Sequence, residues 1–190
     1  MHSKGQYSLL VIGGSAGALT TVLDIVSLLR PPTALSVLVV LHRKHTEEDT
    51  LLDLMSARTR CQVREVDDKD ALEPGCIYIA PPDYHVLLEK NGTLSLDDSE
   101  KVNFSRPSID VTFESAAEVM GGKLVCVLLS GANADGVDGL VAAKRMGAFI
   151  AVQDPAASDF PVMPQHAIDR VEVDMLLNQH NLSELIDLLG

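Results

Sequence analysis

Three polar side chains have the residue types of a nucleophilic hydrolytic site. Ser15, His42 and Asp135 each follow an aliphatic run of the chain. A serine hydroxyl attacks a carbonyl carbon when an imidazole takes its proton and a carboxylate orients the imidazole. The three residue types therefore predict acyl transfer through a covalent serine intermediate.

Ser15 lies in a G-x-S-x-G pattern that runs from Gly13 to Gly17, between a predicted strand and a predicted helix. Small neighbours allow a sharp turn that exposes the hydroxyl. The start of the helix supplies N–H groups and positive potential to a developing oxyanion. The same pattern also occurs in ordinary strand–helix turns, with Ser15 as the helix N-cap, and in phosphate-binding turns. The residues of this turn leave these alternatives open.

His42 comes one strand–helix–strand unit after Ser15, so it is predicted at the end of the neighbouring strand. A dinucleotide-binding domain carries an acidic residue near this point and G-x-G-x-x-G in its first turn. Neither is present, which disfavours a nucleotide-binding α/β domain but keeps it as an alternative function. Asp135 either caps the helix that follows it or accepts a hydrogen bond from Nδ1 of His42.

Short aliphatic runs alternate with segments of helical periodicity, which is typical of an α/β fold. Strands are predicted at 8–12, 35–41, 62–66, 75–80, 84–89, 93–96, 123–129 and 148–152. Helices are predicted at 17–29, 47–58 after a capping box at Thr46 and Asp49, 109–120, 136–146, 164–169 and 181–189. Asn91-Gly92 predicts a hairpin between 84–89 and 93–96. The prediction is a doubly wound, three-layer αβα domain whose mostly parallel sheet carries a small antiparallel hairpin, with ligands bound at the carboxyl ends of the strands.

The composition limits the kinds of partner and the compartment. The chain has 190 residues, 15 Lys and Arg against 27 Asp and Glu, and a net charge of -12. This length predicts one domain, and the acidic balance disfavours nucleic acid as a partner. Three cysteines without a CxxC pair argue against a disulfide scaffold and against a zinc site. No run predicts a membrane span or a signal peptide, so a soluble cytoplasmic protein without membrane insertion is expected.

At these residues the sequence resembles the catalytic domain of the chemotaxis protein-glutamate methylesterase (CheB-type) family, over almost the whole chain. The matching motifs are Val11–Ser15, His42, Gly75–His85, Arg106–Val111, Leu129–Gly131, Asp135-Gly136 and Gln153-Asp154. The resemblance implies a catalytic triad of Ser15, His42 and Asp135 within a single catalytic domain over residues 1–190. It also implies hydrolysis of γ-glutamyl methyl esters on chemoreceptor helices, related deamidation of glutamines, and no metal or cofactor.

The resemblance also suggests which residues hold the oxyanion and the substrate. Ala16 and the Gly131–Ala132 turn are expected to supply oxyanion N–H groups, and His85 is expected at the substrate site. Ala16 and Ala132 stand where the family usually has Thr and Met. These departures suggest an alternative, a catalytically weak homologue that acts as a signalling or binding module.

Several expectations concern regulation and the surroundings of the site. Family members usually carry an N-terminal receiver domain, and none is expected here because the first catalytic strand begins near residue 8. A receiver protein acting in trans is a candidate regulator. Arg43-Lys44 form either a positive rim that attracts an acidic receptor helix or an ordinary exposed loop. Asp110 and Glu114 are expected on a solvated helix face, and Arg106 is expected in a structural position or at the rim of the site.

Overall fold

The computed structural model of the protein describes residues 6–43 and 50–190, and within them a parallel sheet lies between two layers of helices. The strands of this sheet are β1 (Leu9–Gly14), β2 (Ser36–Leu41), β3 (Gln62–Glu65), β5 (Cys76–Ile79), β8 (Leu124–Leu128), β9 (Phe149–Gln153) and β10 (Met175–Leu177). The helices are α1 (Leu19–Leu28), α2 (Thr50–Arg58), α3 (Ile109–Met120), α4 (Val137–Arg145), α5 (Val162–Arg170) and α6 (Leu182–Leu189). Two short 3-10 helices span Gly121–Lys123 and Pro155–Ala157. The predicted capping box at Thr46 and Asp49 lies outside the described residues.

The strand order is β10-β9-β8-β1-β2-β5-β3, and every pair in this sheet is parallel. After β1 the chain first adds strands on one side of it, and from β8 onward on the other side. The order therefore reverses next to β1, and ligands of open α/β sheets bind in the crevice at such a point. Ser15 follows β1 directly and stands at this reversal.

The two faces of the sheet bury separate apolar cores. Alternate residues of β1 point to opposite faces, so that Leu10 packs with α1, α2 and α6, whereas Val11 packs with α3, α4 and α5. All residues of β1, β2, β8 and β9 are buried. A strand covered on both faces is apolar along its whole length, which explains the continuous aliphatic runs of the sequence.

A three-stranded antiparallel sheet extends the predicted hairpin. Its strands are β4 (Asp70–Ala71), β6 (His85–Leu88) and β7 (Thr93–Asp97), in the order β4-β7-β6. Asn91-Gly92 makes the β6–β7 turn as predicted, with Gly92 at φ +81°. The Thr112 hydroxyl on α3 donates to the Val86 carbonyl at 2.8 Å, which ties this sheet to the helix that begins at the site.

The differences from the prediction concern short elements. Strands β4 and β10 were not predicted, because two or three residues carry too little periodicity to be recognised. Helix α5 begins at Val162 instead of 164, with Pro164 in its first turn, where proline is tolerated. Among the described residues, no helix has both the length and the apolarity that crossing a membrane requires.

Close packing of α3 against α4 depends on Gly139. A Cβ atom added there would lie 2.8 Å from Phe113 Cβ and 3.0 Å from the Asp110 Cα and carbonyl oxygen. Two of these three atoms belong to the backbone, so the neighbours cannot move aside by a rotamer change. The two helices that flank the site are therefore held at a distance that only glycine allows.

We expect Gly139→Ala to lower the free energy of unfolding by about 1–3 kcal/mol, because overpacking forces α3 and α4 apart. Gly122→Ala is the matched control, since its Cβ would lie 3.6 Å from the nearest atom and its φ is outside the left-handed range. We expect the control to change stability by less than about 0.5 kcal/mol. Urea denaturation measures both, and equal losses in the two variants would contradict the packing argument.

Candidate active site

Ser15 and His42 stand side by side at the ends of neighbouring strands. Gly14 of β1 is in register with Leu41 of β2. Ser15 follows Gly14 and His42 follows Leu41, so these two residues also lie opposite each other. The His42 N–H donates to the Gly14 carbonyl at 3.1 Å, and the Ser15 N–H donates to the Ser130 carbonyl at 2.9 Å. Backbone hydrogen bonds thus continue the sheet one residue beyond the strands and fix the positions of both candidate catalytic residues.

The turn around Ser15 requires its glycines. A Cβ on Gly14 would lie 2.6 Å from Ala18 Cβ, and Gly17 has φ +77° with its Cβ position 2.7 Å from Ser130 Oγ. Helix α1 begins at Leu19 with Ala18 as its N-cap. Ser15 is therefore not the helix cap, and the side chain is half-buried in the turn before it.

His42 and Asp135 are joined directly by their side chains. His42 Nε2 lies 2.7 Å from Asp135 Oδ2, and the Asp135 side chain is completely buried. The prediction that Asp135 binds Nδ1 was wrong about the atom, because the ring presents Nε2 to the carboxylate. Nδ1 instead faces Ser105 Oγ at 3.5 Å. In the part of the chain that the structure describes, Ser15 Oγ makes no hydrogen bond to the imidazole.

The Asp135 carboxylate also caps the start of α3. Oδ2 accepts the Ile109 N–H at 2.7 Å, and Oδ1 accepts the Ser108 hydroxyl at 2.9 Å and the Asp110 N–H at 3.2 Å. Burial raises the pKa of Asp135, but the hydrogen bonds from His42 and the two amides outweigh burial and lower the pKa overall. Asp135 is therefore ionised and accepts the proton on Nε2 of His42, which leaves Nδ1, facing Ser105 Oγ, as the ring nitrogen directed away from the carboxylate.

Asp110 belongs to the same network, although a solvated position was expected for it. Its side chain is buried, and Oδ1 accepts the Gly139 N–H in the first turn of α4 at 2.7 Å. Asp135, just before α4, caps α3, and Asp110, at the start of α3, caps α4. Asn103 Nδ2 joins the two carboxylates, at 2.7 Å from Asp110 Oδ2 and 3.3 Å from Asp135 Oδ1.

Neither Asp110 nor Asn103 could be assigned its role from the sequence. The expected solvated position holds for Glu114, which is exposed. An acidic residue in the first turn of a helix is common for electrostatic reasons, so Asp110 carried no signal of burial. Asn103 carried no sequence signal of its role.

The backbone donors of the predicted oxyanion hole differ in availability. The Gly131 N–H donates to the Phe160 carbonyl at 3.0 Å, and the Gly131 carbonyl accepts the Met163 N–H at 3.0 Å. Both backbone groups of Gly131 therefore hold the loop before α5, and the expected oxyanion donation from Gly131 is corrected. Within residues 6–43 and 50–190, the N–H groups of Ala16 and Ala132 have no acceptor, and both residues are exposed.

His85 has a structural position instead of the expected place at the substrate site. Its ring is 1% exposed. Nδ1 accepts the Ser108 N–H at 3.0 Å, so Nε2 carries the proton and donates to the Glu100 carbonyl at 2.9 Å. Since both ring nitrogens are engaged, His85 fixes the start of α3, where the Ser108 hydroxyl binds Asp135.

An open cavity of about 450 Å³ lies beside His42. It is lined by His42, Arg43, Asp83, Lys101, Phe104, Ser105, Arg106 and Pro107. Arg43 pairs with Glu65 at 2.7 Å, which offsets much of the positive rim expected there, and Lys44 lies outside the described residues. Arg106 donates to the carbonyls of Asp98 and Ser99 at 2.7 and 2.8 Å, in agreement with a structural position at the rim. Over the described ranges, no cluster of three His, Cys, Asp or Glu side chains could hold a metal ion.

Comparison with known proteins identifies the family. The family model described as CheB methylesterase matches residues 10–186. The chain belongs to the CheB methylesterase family. The resemblance seen in the sequence is thereby confirmed, and with it the predicted enzyme class.

Relatives and a solved structure of the CheB methylesterase family agree with this assignment. A putative protein-glutamate methylesterase/protein-glutamine glutaminase of Leptospira interrogans is 37% identical over 180 residues, which cover 95% of this chain and 93% of the relative. A protein-glutamate methylesterase/protein-glutamine glutaminase of Bordetella parapertussis is 34% identical over 182 residues, and the chain spans 52% of that longer protein. The crystal structure of the Thermotoga maritima CheB methylesterase catalytic domain has a TM-score of 0.90 at 29% identity, covering 97% of this chain and 99% of that one.

The predicted α/β fold is thus confirmed by a member of the CheB methylesterase family. The findings fit the esterase prediction and neither of the two alternatives, a nucleotide-binding domain or a catalytically weak module. The roles of the individual site residues are predictions that the hydrogen bonds described above support.

The buried Asp110 carboxyl predicts how stability changes with pH. Its pKa is raised to about 6, because burial and the neighbouring carboxylate of Asp135 raise it and the Gly139 N–H opposes them only in part. The native state therefore holds this proton more tightly than the unfolded chain, whose carboxyl has a pKa of about 3.9. The resulting stabilisation is complete below about pH 4 and is lost as the pH rises through about 6.

We expect the stability of Asp110→Asn relative to wild type to improve as the pH rises from about 4 to about 7, because the amide does not titrate. A loss of unfolding free energy that is the same at every pH leaves this trend unchanged. Urea denaturation at several pH values measures it. Asp187→Asn, at an exposed position of α6, removes the same charge without the burial and is the control. A flat or falling difference for Asp110→Asn would contradict the raised pKa.

Proposed function

We propose that this chain is a protein-glutamate methylesterase that hydrolyses γ-glutamyl methyl esters on the helices of chemoreceptor-type proteins. The observation that carries the proposal is the buried, ionised Asp135 bound to Nε2 of His42, beside Ser15 at the carboxyl end of the sheet. The names of the relatives support the substrate class and also support deamidation of glutamine side chains at the same site.

In this proposal Ser15 is the nucleophile and Nδ1 of His42 is the base. Nε2–H is committed to Asp135, so Nδ1 has the only lone pair of the ring that can accept the serine proton. As Oγ attacks the ester carbonyl, the proton moves to Nδ1 and negative charge develops on the carbonyl oxygen. The adjacent carboxylate stabilises the imidazolium that forms.

The remaining steps follow from the same groups. The N–H groups of Ala16 and Ala132 are the proposed donors to the oxyanion, since both are exposed and without an acceptor among the described residues. Collapse of the tetrahedral intermediate breaks the bond to the methoxy oxygen, and Nδ1–H protonates it to methanol. Water, deprotonated by His42, then hydrolyses the acyl-serine and leaves a free glutamate.

For this proton transfer Ser15 Oγ must reach Nδ1, and no hydrogen bond joins these two side chains among the described residues. Catalytic hydrogen bonds are often loose without substrate and tighten in the complex. The backbones of the two residues are already joined through the His42 N–H and the Gly14 carbonyl, so the serine and the imidazole follow adjacent strand ends.

The proposal also covers partners and compartment. Cys61, Cys76 and Cys126 are free and buried, which is compatible with the reducing cytoplasm that we propose as the location. Regulation by a separate receiver protein stays a prediction, and binding of a phosphorylated receiver to the purified chain is its direct test.

We expect Ser15→Ala to lower methanol release from a methylated receptor by at least about 10⁴-fold, because triad members act as a unit. Ser105→Ala is the discriminating variant, since Ser105 Oγ lies 3.5 Å from Nδ1 of His42. Under the proposal it keeps activity within about tenfold of wild type. Ser27→Ala, on α1 away from the site, is the remote control.

Release of methanol is measured from a receptor fragment that carries radioactive methyl groups. Unchanged release by Ser15→Ala would overturn the proposed role of Ser15. Loss in Ser105→Ala with retention in Ser15→Ala would move the nucleophile to the other serine. Release that is absent from the wild type itself would overturn the methylesterase function.

A further inference from the structure

A two-residue turn at the cavity beside His42 has an unusual residue at its tip. Val102 and Ser105 exchange both backbone hydrogen bonds, at 3.1 and 2.9 Å, and we call this segment the 102–105 turn. Its central residues, Asn103 and Phe104, have φ +50° and +63°. Two central residues with positive φ make the type of hairpin turn that Asn-Gly forms most readily. Asn103 suits this conformation, whereas Phe104 occupies the position that favours glycine.

The Phe104 side chain does not stabilise the fold by burial. It is 99% exposed, the largest exposure among the large apolar side chains in the described part of the chain. A phenylalanine normally contributes to stability by burial of its ring. Phe104 thus combines a strained left-handed backbone conformation with a fully hydrated apolar ring. Glycine at this position would remove both unfavourable contributions to the free energy of folding. Backbone strain of this kind tends to occur where function requires it.

The other side of the 102–105 turn is fastened to the candidate catalytic residues. Asn103 Nδ2 donates to Asp110 and Asp135, and Ser105 Oγ lies 3.5 Å from Nδ1 of His42. The turn thus has one side bound to the carboxylates and the imidazole and the opposite side in solvent. Phe104 is held at a set place relative to His42, where a bound substrate would meet it.

The charges around this place favour an acidic partner. Lys101 and Arg106 line the same cavity as Phe104, and with them Arg43, which is paired with Glu65, and the carboxylate of Asp83. Positive side chains are thus in excess at this cavity, in a chain whose net charge is -12. A protein segment that carries glutamates and their methyl esters is acidic, and it would approach this cationic lining more readily than the rest of the surface.

We propose that Phe104 is a specificity-determining residue whose ring packs on apolar side chains of the substrate helix, one turn away from the methyl ester being hydrolysed. Residues three and four positions apart share a helix face, so one helix can place the ester at His42 and an apolar side chain on Phe104. The inference rests on the proposed function and adds to it the means by which esters on a protein helix are preferred over free esters.

The test compares one protein ester with one small ester. The substrates are a methylated receptor fragment and the γ-methyl ester of N-acetylglutamate α-amide. For Phe104→Ala and Phe104→Gly we expect kcat/KM on the receptor fragment to fall by about tenfold or more, mainly through KM, because a buried aromatic anchor is lost. On the small ester we expect both variants to stay within about twofold of wild type.

Stability supplies an independent readout. We expect Phe104→Gly to melt at a higher temperature than Phe104→Ala, the reverse of the order usual for exposed residues, because only glycine adopts the left-handed φ without strain. Met146→Ala is the matched control. Met146 is half-exposed at the end of α4, at the opposite edge of the sheet, and we expect unchanged kcat/KM on both substrates.

The outcomes separate this inference from the function on which it rests. If the wild type hydrolyses both esters and the Phe104 variants keep the wild-type kcat/KM on the receptor fragment, the role of Phe104 is overturned and the esterase function is retained. Equal losses on both substrates would also overturn it, since the turn would then only support the catalytic groups. Wild type that hydrolyses neither ester would overturn the proposed function itself.

Discussion

The burial of the Asp135 carboxylate is the constraint on which the rest of the site depends. A buried charge without partners costs several kcal/mol, so its oxygens must be hydrogen-bonded. The donors come from separate segments: His42 after β2, the first turn of α3, and Asn103 in the 102–105 turn. Satisfying one carboxylate therefore brings together the base, the helix start and the turn, and Ser15 follows because its backbone is joined to that of His42 through Gly14.

Two neighbouring carboxylates acquire opposite properties from this arrangement. Asp135 receives the imidazole and two helix amides, which lower its pKa, whereas burial beside Asp135 raises the pKa of Asp110. Pairs of titratable groups whose pKa values are driven apart are typical of catalytic sites. The reciprocal caps also hold α3 and α4 close together at Gly139, since Asp110 in α3 accepts an N–H group of α4 and Asp135, just before α4, accepts N–H groups of α3.

The unusual side chains of this chain bear differently on the proposed chemistry. Ala16 and Ala132 depart from the family pattern, yet the groups proposed for the oxyanion are backbone N–H groups, which a change of side chain leaves in place. Phe104 is the opposite case, because its backbone would be more favourable as glycine and only its side chain gives a reason for its presence. Ala16 and Ala132 therefore alter the surroundings of the reacting ester, whereas Phe104 alters which esters bind at the site.

The sequence alone determined the strands other than β4 and β10, the β6–β7 hairpin, and the neighbouring places of Ser15 and His42, because these depend on local periodicity and on parallel strand order. Tertiary structure decided the rest of the site. Asp110 became buried through α4, His85 was committed to the start of α3, and the Gly131 N–H was taken by the loop before α5. Which imidazole nitrogen faces Asp135 was decided in the same way. Each of these outcomes depends on a hydrogen-bond partner more than 20 residues away, and local sequence patterns carry no record of such partners.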